Sequence, residues 1–123
     1  MNRKIPYCLC LIGSLALTAC GQKDVSFKAD VMPILLQNCL ECHTEKGEGA
    51  QKSGLVMESY DSLMKGTRFG AIVKPGDSLT SALNMLVEGR AAPSIRMPHH
   101  KTALPKEKTD IIKKWVDQGA KNN

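Results

Sequence analysis

Cys39-Leu40-Glu41-Cys42-His43 is the stretch from which this 123-residue chain is best read. Two cysteines three positions apart on a helical turn can reach the two vinyl groups of one porphyrin. The histidine that follows is then set beneath the iron as its proximal ligand. The pattern arises by chance in roughly one chain of this length in a few hundred. Two other chemistries use paired cysteines. A thioredoxin-like redox pair needs a βαβ setting, and nothing in the surrounding sequence suggests one. A zinc site needs further ligands at finger spacing, yet the sequence holds no second Cys-x-x-Cys and no His-x3–5-His. Covalent attachment of a single haem c through Cys39 and Cys42, with His43 on the metal, is the reading that remains.

The N-terminus belongs to something else. Arg3 and Lys4 precede an apolar run from Ile5 to Ala19, which is too short and wrongly flanked for an ordinary membrane span. Residues 1–19 therefore read as a bacterial secretory signal. The run ends in Leu17-Thr18-Ala19-Cys20, which resembles the lipobox of bacterial lipoproteins. That resemblance implies that Cys20 becomes the lipidated first residue after cleavage, at the inner or outer membrane outside the cytoplasm. Residues 20–26 would be a short tether and residues 27–123 the folded domain. Cys8 and Cys10 fall in the discarded segment, so every cysteine has a use and none is left for a disulfide.

Charge excludes one class of partner. The chain carries 17 basic and 12 acidic residues, a net of +5, and loss of Arg3 and Lys4 with residues 1–19 brings this to +3. Two ionised propionates would lower it further, which leaves no strong basic face for nucleic acid. Lys106, Lys108, Lys113, Lys114 and Lys121 read as a solvated helix face, with a docking patch for an acidic redox protein as the alternative. After residue 19 the aromatics are only Phe27, Tyr60, Phe69 and Trp115. A haem filling much of the interior makes so sparse a core easier to understand.

Taken in order, Asp30 is expected to cap a helix from Val31 to about Cys39, with Pro33 in its first turn. Thr44 to Gly54 is rich in Gly, Lys and Glu and reads as a surface loop. Leu55-Val56-Met57 is extended. Ser59 caps a brief helix through Lys65, with Leu63 and Met64 inward and Gly66 as its stop. Ala71 to Lys74 is extended again and ends at the turn Pro75-Gly76. Asp77 or Ser78 opens a helix through about Val87, on the helical spacing of Leu79, Ala82, Leu83, Leu86 and Val87, and Gly89 ends it. Arg90 to Leu104, with Pro93, Pro98 and His99-His100, is a loop. Pro105 starts the last helix, which reaches about Gln118 and stops at Gly119. Ile111, Ile112, Trp115 and Val116 form its apolar face. Trp115 is assigned to the core, with a hydrogen bond to a propionate as the other role open to it.

From Phe27 through Ala120 the sequence also resembles the small class I cytochrome c domain of planctomycete type. The resemblance rests on Asp30-Val31-Met32-Pro33-Ile34-Leu35, on Cys39-x-x-Cys42-His43, and on Gly54-Leu55-Val56-Met57. Val73-Lys74-Pro75-Gly76-Asp77, Ser81-Ala82-Leu83, Arg96-Met97-Pro98 and Trp115-Val116-Asp117-Gln118-Gly119-Ala120 complete it. It implies an all-α fold whose first and last helices pack across each other beside one haem. It also implies that Met97 is the distal ligand. Thr109, where a larger apolar residue is common, and the pair His99-His100 depart from the pattern.

Spacing supports Met97 separately. Met57, Met64 and Met85 lie in apolar patterns and read as core fillers, and Met32 is only eleven positions before His43. Met97 sits in a proline-stiffened loop 54 positions after it. His99, His100 or an open position are the alternatives. A six-coordinate haem passes single electrons and has no free position for oxygen or peroxide. The expected function is thus that of a monomeric electron carrier between redox proteins rather than an enzyme. A haem sensor with a dissociable sixth ligand, or an accessory subunit of one dedicated enzyme, are the alternatives.

Overall fold

Ser26, rather than Asp30, opens the first helix. The computed structural model of the protein describes residues 23–123. In it Ser26 Oγ accepts from the Ala29 amide at 3.1 Å while Asp30 accepts from the Ser26 amide at 2.8 Å. Asp30 therefore lies inside the first turn, its carboxylate turned back on the cap. That turn, Phe27–Val31, is π-helical, with Val31 N donating to Ser26 O and Met32 N to Phe27 O. The wider winding falls just before Pro33, whose ring would press on the Ala29 carbonyl in a regular helix. Pro33 is thus tolerated past the first turn, and α1 (Met32–Asn38) carries the chain on to Cys39.

Two further expectations change. The stretch read as a loop after Thr44 contains a helix, α3 (Glu48–Ser53), which follows the short α2 (Leu40–His43). Glycine content argued against it, but Glu48 and Lys52 pair one turn apart and Gly54, at φ 80°, closes the C-terminus. The helix expected from Asp77 or Ser78 begins later, as α5 (Ala82–Val87). Asp77 caps only the preceding turn, accepting from Thr80 N at 3.0 Å, and Leu79 is 72% exposed. The apolar spacing counted Leu79 as part of a face that it does not join.

The remaining elements follow their signals. Ser59 and Ser62 form a reciprocal cap on α4 (Tyr60–Lys65), and Gly66 ends it. After a short 3₁₀ turn at Pro93–Ile95 comes α6 (Lys106–Asp117), with Gly119 at φ 97° beyond its end. Among the described residues the fold is all-α, six α-helices with a single isolated bridge between Thr67 and Gly70. No helix there is long and apolar enough to cross a membrane.

The opening turn packs against α6, and three aromatics fill the crossing. Phe27 lies 5.3 Å from Tyr60 and 5.4 Å from Trp115, centroid to centroid. Trp115 is fully buried and its indole N–H donates to Lys121 O at 2.9 Å. With that donor used, a propionate bond is ruled out and Trp115 is a core residue. Thr109 is buried too, satisfying its hydroxyl on Lys106 O at 2.9 Å. The α6 lysines are mostly engaged within the chain: Lys106 with Asp110, Lys113 with Asp117, and Lys108 with Gln37.

Residues 23–26, read as the end of a tether, are bonded to the tail that follows α6. Val25 N donates to Gln118 Oε1 at 2.7 Å, Asp24 pairs with Lys121, and Phe27 N donates to Asn123 Oδ1 at 2.8 Å. Residues 1–19, Cys8, Cys10 and Cys20 lie outside the described residues.

Candidate haem cleft

The joint between α1 and α2 places the cysteines. Cys39 leaves the helix at φ −122°, yet its amide still donates to Leu35 O at 2.8 Å, and its carbonyl accepts from Cys42 N and His43 N. One turn therefore carries Cys39, Cys42 and His43 to a cleft of about 430 Å³. Leu55, Ile72, Leu83, Leu86 and Val87 supply apolar walls, and Met97 faces the same space. All four residues expected to hold the cofactor thus border one cavity.

His43 is buried, and its Nδ1 lies 3.1 Å from the Leu55 carbonyl. A carbonyl only accepts, so Nδ1 carries a proton, and in the neutral ring Nε2 is the nitrogen left with a lone pair. The Leu55 segment is itself fixed, because Met57 N donates to His43 O at 2.8 Å and Leu55 N to Ser53 Oγ at 3.1 Å. Sequence reasoning missed Leu55, since a backbone carbonyl leaves no side-chain signal. It also missed why two glycines follow the motif. A Cβ at Gly47 would stand 2.3 Å from Cys42 O, and one at Gly49 would stand 2.8 Å from both Cys42 O and His43 Cε1. The cue in the sequence is two glycines one residue apart just after the histidine.

Met97 is half-buried against the core and its amide donates to Leu86 O at 3.2 Å. His99 and His100 are exposed, but both also border the cleft, with ring centroids 3.9 Å apart. Met57 combines its expected core role with a place in the cleft wall. Met64 packs against the core as expected. Met32 borders a separate hollow with Phe27 and Tyr60.

The two thiols differ. Burial pushes the Cys39 thiol up to about 11, against a smaller opposing pull from the Lys101 ammonium, so Cys39 is protonated at neutral pH. Cys42 is exposed. Lys101 pairs with Glu41, joining the loop that bears Met97 to the helix that bears the cysteines. Its hydrogen bond to Glu41 holds the Lys101 proton more tightly than usual.

The donor set fits a haem. Two thiols and an imidazole stand on one turn, a thioether reaches the same cavity, and the walls between them are apolar. Among the described residues no three His, Cys, Asp or Glu side chains converge to hold a bare metal ion. No curated protein and no solved structure matches the chain. The family described as Planctomycete cytochrome C does match, over residues 39–100, from the first cysteine of the motif past Met97. That span is half of the chain, and with the all-α fold around the cleft it makes this protein a member of the planctomycete cytochrome c family.

Proposed function

We propose that the protein is a one-electron carrier with a single haem held by Cys39 and Cys42, with His43 and Met97 as its axial ligands. Membership of the family implies a covalent haem and electron transfer. The observation that supports the finer assignment is the convergence of two thiols, one imidazole and one thioether on a single apolar cavity. When bound, the haem supplies reversible one-electron exchange at its iron. The chain's own residues do the rest. The Leu55 carbonyl engages His43 at Nδ1 and so leaves Nε2 as the nitrogen that would meet the iron. Met97 presents a thioether, which favours the reduced state relative to a second histidine. Leu83, Leu86 and Val87 keep water from the interior of the cleft. The reduced protein should accordingly bind no carbon monoxide at neutral pH; rapid binding would instead favour a sensor with a dissociable sixth ligand.

The proposed location is outside the cytoplasm, on a lipid at Cys20, where the protein exchanges electrons with partner proteins. The reading rests on the signal-like residues 1–19 and the lipobox-like Leu17-Thr18-Ala19-Cys20. Stable anchoring takes more than one acyl chain. Cys20→Ser should therefore move a still-red domain from the membrane to the soluble fraction, as followed by haem staining of the two fractions. A wild-type protein already soluble there contradicts the anchor.

A further inference from the structure

We propose that Gly49 is a positioning residue for His43: its missing side chain lets α3 close on the imidazole edge opposite Leu55 and fixes where Nε2 points. The inference deepens the proposed function, since it rests on His43 as the proximal ligand.

Gly49 lies inside α3 and its backbone is helical. Alanine is the better helix former at an ordinary helical position, so conformational freedom does not explain the residue. Space does. A Cβ here would lie 2.8 Å from His43 Cε1, 3.0 Å from Nε2 and 2.8 Å from Cys42 O, all well inside the separation of about 3.5–4.0 Å at which such atoms attract.

The ring is therefore held between two backbone stops. The Leu55 carbonyl takes the Nδ1 edge at 3.1 Å, and the Gly49 backbone lies against the edge formed by Cε1 and Nε2. Retreat of α3 is opposed by its own ties. Arg68 N donates to Ser53 O at 2.9 Å, Arg68 Nη2 donates to Gln51 O at 2.6 Å, and Gly47 N donates to Thr44 O at 2.9 Å. A methyl at position 49 must then push on the ring, which either loosens the Nδ1 bond or turns Nε2 away from its line. Either change weakens imidazole donation to the metal, and ferric iron depends on that donation more than ferrous iron does.

Gly47 provides the comparison. A Cβ there would meet Cys42 O at 2.3 Å, Cys42 C at 2.6 Å and Thr44 Oγ1 at 3.1 Å, with no His43 atom among its nearest contacts. It strains the same backbone without touching the ring. The test places Gly49→Ala and, separately, Gly47→Ala in holoprotein from a cytochrome c maturation strain. The iron–imidazole stretch is read by resonance Raman on ferrous protein carrying Met97→Ala, His99→Ala and His100→Ala, which removes every substitute ligand on that loop, and the ferrous-to-ferric ratio at fixed poise is read with Met97 intact. Gly49→Ala should lower the stretching frequency. It should also raise the ratio by about threefold or more, because an outer-shell contact that orients the ligand is disturbed. Gly47→Ala should reduce yield and leave both readings unchanged. If Gly49→Ala fails to accumulate while Gly47→Ala does, the His43 contact is responsible and the proposal stands. Unchanged readings for Gly49→Ala, equal shifts in the two variants, or loss of both proteins alike would overturn it. Absence of the stretch from the parent that lacks Met97, His99 and His100 would overturn the assignment of His43 itself.

Discussion

Met97→Ala is expected to lower the midpoint potential by on the order of 0.1 V or more, within the span of about 0.8 V that axial ligation covers. It should also erase the weak far-red band of ferric His/Met haem and open the reduced protein to carbon monoxide. The cause is local. The thioether stabilises ferrous over ferric iron, and alanine leaves that side of the cleft without a donor at position 97. The Met97 amide bond to Leu86 O involves only backbone and survives the change, so the loop should keep its course. His99 and His100 border the same cleft, which makes them the available substitutes. If one of them binds in the variant, the spectrum becomes that of a six-coordinate bis-histidine haem of still lower potential, and carbon monoxide binding is suppressed. His99→Ala combined with His100→Ala, with Met97 intact, should leave the far-red band in place. The opposite pattern, in which the double histidine change alters the spectrum and Met97→Ala does not, assigns the ligand to the histidines.

The second large effect concerns attachment. Cys42→Ser should leave at most one thioether and remove most of the holoprotein from cells carrying a maturation system, as measured by haem staining and intact mass. Cys42 is the exposed thiol of the pair, whereas burial holds Cys39 in its protonated form. The thiolate is the reactive form of a cysteine, so the residue lost is the more accessible of two unequal nucleophiles. The wild-type chain should carry one haem that withstands acid–organic extraction. Full accumulation of Cys42→Ser with two attachment points would mean that another cysteine takes part, and Cys20 is the one left for that role after cleavage.

What was legible in the sequence was carried by side chains and by punctuation. Ser59 and Gly66 mark α4, and Pro105 and Gly119 mark α6, because caps and stops act within a few residues. The cysteine pair, His43 and the proline-flanked Met97 were visible for the same reason: their chemistry is local and unusual. Three features were not. Gly47 and Gly49 look like helix breakers, yet both face the backbone or ring of the motif, and only the folded chain reveals that contact. Leu79 fits a helical period and still lies outside α5, since period alone does not say where a helix starts. Leu55 orients His43 through its carbonyl, a group that every residue carries. The site was readable where it depends on rare side chains and hidden where it depends on backbone.

The most direct test of the central claim is a spectroelectrochemical titration of the purified mature protein, followed from the visible to the far-red. The account predicts one reversible transition with the slope of a single electron, about 59 mV per tenfold change in the ratio of the two forms. The far-red band should be present in the oxidised protein and vanish in step with reduction. A chain without such a transition, or one whose oxidised form lacks the band at the outset, contradicts a single haem held between His43 and Met97.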